Sequence, residues 1–125
     1  MIKMLVFLRK KEGLTLEEYR DHYENVHVPL VRGLFPDTTG VYRRNYIDRE
    51  RTALTDRNAE LAAANEEFDS VTEVFFEDWA AFEAYRDRHK QPEIRAQVVA
   101  DEEKFLDVSY QRRYVVTPVG DAAWG

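Results

Sequence analysis

Cysteine is absent from this 125-residue chain. Disulfides, thiol nucleophiles and thiolate metal sites are excluded with it, and a reducing cytoplasm is the expected location. Histidine is scarce, with only His22, His27 and His89, so a multi-histidine metal centre would consume nearly all of them and no metal is expected. No apolar run approaches the roughly 18 residues of a spanning helix. The opening MIKMLVFLRKK carries its charges after the apolar stretch, the reverse of a secretory signal. No membrane association is expected. A phosphate-cradling GxxxxGKS or GxxxxGKT loop, a GxGxxG turn and an HExxH helix are all missing. Basic residues number 18 against 24 acidic ones, for a net charge of −6. Overall repulsion from phosphates therefore argues against nucleic acid as a partner.

What is present is a globular composition, 44% apolar and 34% charged. The length suits one domain, which hides about two-thirds of the surface its unfolded form exposes. Residues 2 to 9 (IKMLVFLR) form a nearly continuous apolar run, as a buried strand does. After Gly13, Thr15 and Glu18 have the spacing of a capping box, with Leu14 and Tyr19 placed as a hydrophobic staple. Tyr19, Tyr23, Val26 and Leu30 recur at helical spacing, and Pro29 predicts that this helix ends or kinks near His27. A loop through Gly33 and residues 36 to 40 leads to a second strand, VYRRNYI (41 to 47). Residues 48 to 67 are polar, with a short surface helix expected from Asp56. SVTEVFFE (70 to 77) is a third strand, and Asp78 caps a helix carrying Trp79, Phe82, Tyr85 and His89 along one stripe. Pro92 opens a further helix in which Ile94, Val98 and Val99 face inward. VSYQRRYVV (108 to 116) is the fourth strand, and residues 117 to 125 read as a tail.

Strand, helix, two strands, helix and strand make the ferredoxin-like βαββαβ order of an α+β fold, with a four-stranded antiparallel sheet. One domain spans residues 1 to 116, with 48 to 67 as a polar insertion. Both helices then cover one sheet face. The first and third strands are apolar on both sides, so the bare face needs a cover, and a homodimer through the sheet faces is the simplest.

The segment KKEGLTLEEYRDHYENVHVPLV (10 to 31) resembles the first strand-to-helix signature of the EthD family. Its elements are Gly13, Leu14, Thr15, Glu18, Tyr19, Tyr23, His27, Pro29 and Leu30. FDSVTEVFFEDWAAFEAY (68 to 85) resembles the family's third strand and following helix, and ADEEKFLD (100 to 107) its acidic-aromatic turn. The resemblance implies a dimeric α+β barrel, each subunit keeping its own cavity. Its superfamily includes lactone isomerases, polyketide cyclases and dehydratases, cofactor-free monooxygenases and haem-handling branches, so it narrows the fold more than the reaction. The polar insertion departs from the family pattern.

His27 is the strongest catalytic candidate. It sits where the helix is expected to end, and imidazole exchanges protons near neutral pH. The resemblance also assigns the matching histidine to the cavity, while the bland alternative is a histidine capping its own helix. On the second strand, Tyr42 and Tyr46 share one face while Arg43 and Asn45 share the other. Whichever set points inward offers donors to a carbonyl or enolate oxygen. Tyr42, Tyr46 and Arg43 are the catalytic candidates beside His27. Asn45, Arg9 at the first strand's end and Tyr114 on the last strand are the substrate-binding candidates. His22 and His89 read as surface or cap residues, and Asp101-Glu102-Glu103 as a solvated helix end. The expected activity is cofactor-free acid–base chemistry, of lyase, isomerase or cyclase type, on a small cyclic or aromatic polyketide-like carbonyl compound, with His27 as proton shuttle. The alternative is a cofactor-free monooxygenase or a haem- or small-molecule-binding module of the same superfamily. A third class is an assembly protein whose cavity is filled by its own side chains.

Overall fold

A computed structural model describes residues 1–36, 41–55 and 67–121. The sequence expectations for loop residues 37–40, the surface helix from Asp56 and the last tail residues lie outside these. Strand β1 (Ile2–Leu8) leads through Gly13 to helix α1 (Leu16–His22). A π-helical turn (Tyr23–His27) runs directly into α2 (Val28–Leu34). Strand β2 (Tyr42–Tyr46), a short helix α3 (Arg49–Ala53) and strand β3 (Ser70–Phe76) follow. Helices α4 (Trp79–His89) and α5 (Pro92–Phe105) precede a 3-10 turn (Val108–Tyr110) and strand β4 (Arg112–Val116). All strand pairs are antiparallel, in the order β2-β3-β1-β4. This is the ferredoxin-like α+β arrangement expected from the pattern.

Period-two alternation decides what each strand buries. Ile2, Met4, Val6 and Leu8 of β1 face the helices, with Tyr42, Val74 and Phe76 from neighbouring strands. Tyr19, Tyr23, Val28, Val31, Phe35, Ile94, Val98, Phe105 and Leu106 close over them. The opposite face carries Lys3, Leu5 and Phe7, Val71, Glu73 and Phe75, Arg43 and Asn45, and Tyr114. That face is less uniformly apolar than the sequence suggests. Lys3 and Arg43 lie over the Phe75 ring, and Glu73 accepts from Lys3 and Asn45. Leu5, Phe7 and Val71 stay half-exposed. No helix among the described residues is long and apolar enough to cross a membrane.

The capping box forms as expected. Thr15 Oγ1 accepts from the Glu18 amide and Glu18 Oε1 from the Thr15 amide, each at 3.0 Å. Asp78 caps α4 by accepting from the Ala81 amide. The end or kink expected near His27 is a change of helix type and not a stop. Pro29 stops nothing, because the wide turn has Val28 donate to the Tyr23 carbonyl, five residues back, and Pro29 falls in the first turn of α2. The extra residue in that turn also shifts the buried stripe. Tyr19, Tyr23, His27 and Val31 are buried, while Val26 is exposed and Leu30 only half-buried. On α5, Ile94 and Val98 face inward as expected, and Val99 stays outside. Trp79, expected in the core stripe of α4, is 57% exposed at the helix start, while Ala81, Phe82 and Tyr85 pack against the core and His89 stacks on Phe35.

Candidate active site

Two tyrosines and a histidine, Tyr19, Tyr23 and His27, are carried inward by the run from α1 to the π-helical turn, and Tyr42 meets them from β2. Burial of a hydroxyl costs free energy unless it finds a partner, and each pairing here locks helix to sheet. Tyr19 pairs with Ser70 at 2.6 Å and Tyr23 with Thr72 at 2.5 Å. The Tyr42 hydroxyl donates to that of Tyr23 at 3.5 Å. On the outer side of the turn, Glu24 accepts two bonds from Arg44, at 2.6 and 2.9 Å, and one from the Tyr46 hydroxyl. Arg44 holds the Glu24 carboxyl below its usual range. This clamp ties the π-helical turn to β2 and so fixes the direction of His27, three residues on.

His27 is 6% exposed. Its Nδ1 lies 2.8 Å from Asp101 Oδ2. A carboxylate only accepts, so the proton sits on Nδ1 in the neutral ring and Nε2 keeps its lone pair. Nε2 has no hydrogen-bond partner among the described residues, and the ring lines the cavity. Burial pushes the imidazole below its ordinary range, with the Asp101 hydrogen bond partly opposing. The ring is therefore neutral near pH 7 and able to accept a proton. Asp101 is itself held firmly, because the end of α5 is strapped to the end of β1. The Lys11 amide donates to the Phe105 carbonyl and the Asp107 amide to the Arg9 carbonyl. Phe105, with 0% exposure, supports the His27 ring at 5.0 Å.

The cavity holds about 50 Å³. Its walls are apolar at Met4, Val6, Leu8, Val31, Phe35 and Val98. Polar groups enter from Tyr23, Tyr42, Tyr85, His89, Glu102 and Arg113. Burial raises the Tyr23, Tyr42 and Tyr85 hydroxyls, so they stay protonated as donors. Burial, followed by Arg113, lowers His89. Glu102 is fixed by Gln111 at 3.1 Å and Arg113 at 3.5 Å. Arg113 is the exposed residue of the lining and marks its solvent end. Among the described residues no cluster of histidines and carboxylates is arranged to hold a metal ion.

Of the residues singled out in the sequence, the structure brings His27 and Tyr42 to this cavity. Tyr46 faces the helices but stands outside, bound to Glu24. Arg43 and Asn45 lie on the opposite sheet face, as does Tyr114, which packs edge-on against Phe7. Arg9 stacks on Tyr110 at 4.3 Å, beyond the end of β1. Tyr23, not singled out as a site residue from the sequence, also lines the cavity, as do His89, expected as a surface or cap residue, and Glu102, expected with Asp101 in a solvated helix end but buried with it. The signal was present. Ile94, Val98, Asp101, Glu102 and Phe105 recur at helical spacing, so both carboxylates fall on the buried stripe of α5.

The EthD domain model matches residues 11–109, most of the chain. Solved structures share the fold across nearly whole chains. An EthD family protein from Bacillus halodurans has 16% identity and a TM-score of 0.60, covering 95% of this chain and 99% of its own. HapK from Hahella chejuensis has 13% identity and a TM-score of 0.61, covering 100% and 99%. A dabb family protein of ferredoxin-like fold from Mesorhizobium loti has 14% identity and a TM-score of 0.53, covering 95% and 97%.

Proposed function

The chain belongs to the EthD domain family, and within that family we propose that it is a cofactor-free enzyme that moves a proton beside the carbonyl of a small substrate. The observation that carries this reading is the Asp101–His27 pair, whose unpartnered Nε2 lines an apolar cavity. His27 is the base. Asp101 holds its tautomer and stabilises the imidazolium formed when the substrate proton arrives, the role a buried carboxylate plays in hydrolytic triads. The Tyr23 hydroxyl, which accepts from Tyr42 and is polarised by it, stabilises the oxygen on which negative charge develops. His27 then returns the proton at a second position or to a leaving oxygen, giving isomerisation, cyclisation or dehydration. The substrate class is a small cyclic or aromatic, polyketide-like carbonyl compound. The 50 Å³ present is well below the roughly 300 Å³ at which ligand pockets begin, so such a substrate enters with displacement of the lining side chains. The same volume is far too small for haem and favours one other reading, a cavity filled by its own tyrosines with no catalytic use. A homodimer through the Leu5, Phe7 and Val71 face is part of the proposal.

Turnover of a panel of cyclic and aromatic β-dicarbonyl compounds by wild type, His27→Ala and Asp101→Asn tests this reading. Losses of about 10²-fold or more in both variants are expected. Equal rates in all three would remove His27 from the mechanism and leave the filled-cavity reading.

A further inference from the structure

The mechanism above leaves His22 idle, yet His22 shares its carboxylate with the base. Its Nε2 lies 2.9 Å from Asp101 Oδ1, while His27 Nδ1 lies 2.8 Å from Asp101 Oδ2. Both rings pack on Phe105, His22 stacked at 4.7 Å and His27 tilted at 5.0 Å. The His22 side chain is 23% exposed, against 6% for Asp101 and 8% for His27. One buried negative charge therefore serves two imidazoles, one facing the cavity and one reaching solvent. That charge stabilises one imidazolium fully. A second proton must enter against the first in a site of low dielectric. Among the other groups around His27, Glu102 also favours its proton. Glu102, the next residue on α5, is committed to Gln111 and Arg113. His89 on α4 and Arg113 on β4 stand on the cavity lining, and Tyr23 and Tyr42 remain neutral.

We propose that His22 is a positioning residue that sets the proton affinity of His27 through the Asp101 carboxylate they share. With His22 neutral, the full charge of Asp101 supports the proton that His27 takes up. With His22 protonated, the carboxylate is already compensated and His27 becomes a weaker base. Solvent pH is thus reported to the cavity through His22, the more exposed of the two rings. The effect on turnover rests on the base role of His27, whereas the coupling itself is measurable without substrate.

The test is an NMR titration of the histidine rings in wild type, His22→Gln and His22→Phe. Glutamine keeps an N–H donor for Asp101 without a titrating charge, and phenylalanine keeps the ring on Phe105 without the donor. In wild type His22 and His27 should each titrate in two steps. In both variants His27 should titrate in one step, with its midpoint raised by about one pH unit. Single-step curves for both rings in wild type, or a His27 midpoint unmoved in both variants, would overturn the proposal. Should either variant fail to fold, the wild-type curves decide alone. Coupled curves with full turnover in His27→Ala would keep this inference and remove the base role; uncoupled curves with lost turnover would do the reverse.

Discussion

On β2, Tyr42, Arg44 and Tyr46 project toward the helices, and Arg43 and Asn45 project from the other face. The residue types are alike on both sides, but their surroundings differ. Inward, Tyr42 is desolvated and its hydroxyl donates to Tyr23, while Arg44 and Tyr46 close on Glu24. Outward, Asn45 donates to Glu73 and to the Val71 carbonyl, and Arg43 covers Phe75. The lesson is that a tyrosine or arginine becomes a candidate for chemistry through the face it occupies. A buried hydroxyl is held as a donor in a dry cavity, whereas a half-exposed guanidinium shields an apolar ring. The same division separates His27 from Tyr114.

The comparison breaks most visibly at Phe105, the ring beneath both histidines. Phe105→Ala should cost about 3–5 kcal/mol in chemical denaturation; a loss below about 1 kcal/mol would mean the inward face tolerates a cavity there. Tyr23→Phe strips a partner from the Thr72 hydroxyl in a dry site and should cost about 1–3 kcal/mol. The outward face is tested by Phe7→Asp. If two copies join through their sheets, this change should turn a dimer into a monomer in sedimentation at micromolar concentration, leaving the circular dichroism spectrum intact. A wild-type monomer would refute that contact outright. Arg43→Ala, on the sheet face away from the cavity, should sharpen the contrast by leaving turnover unchanged. Tyr42→Phe, one residue away, should slow turnover.

Acid provides a further contrast. His27 and His89 bind protons less readily folded than unfolded, because burial opposes their charge. Between their folded values and the unfolded value near 6.5, the unfolded chain holds more protons. Stability should therefore fall as pH drops below about 6.5, and this contribution should level off once both rings are charged in the folded state. Glu24, held low by Arg44, adds a second loss as pH falls below its ordinary 4.5. Thermal melts across this range check both windows; a melting temperature rising on acidification would contradict them.

The order of strands and helices along the chain and the capping box at Thr15 were legible because each rests on local spacing. The continuation of the helix through Pro29 was not. A π-helical turn costs nothing in composition and shows only once the missing proline donor is accounted for. Asp101 was hidden by its neighbours. Three carboxylates in a row look solvated, yet they diverge around α5: Asp101 to the histidines, Glu102 to Gln111 and Glu103 to water. Pairing across 74 residues is a tertiary fact, and a single chain's pattern carries no sign of which helix will meet which.

The state of the His27 ring tests the account most directly. Nitrogen-15 NMR at neutral pH should find the neutral tautomer with its proton on Nδ1, an unprotonated Nε2 and a titration midpoint below 6.5. A proton on Nε2, or a ring still charged above pH 6.5, would contradict it.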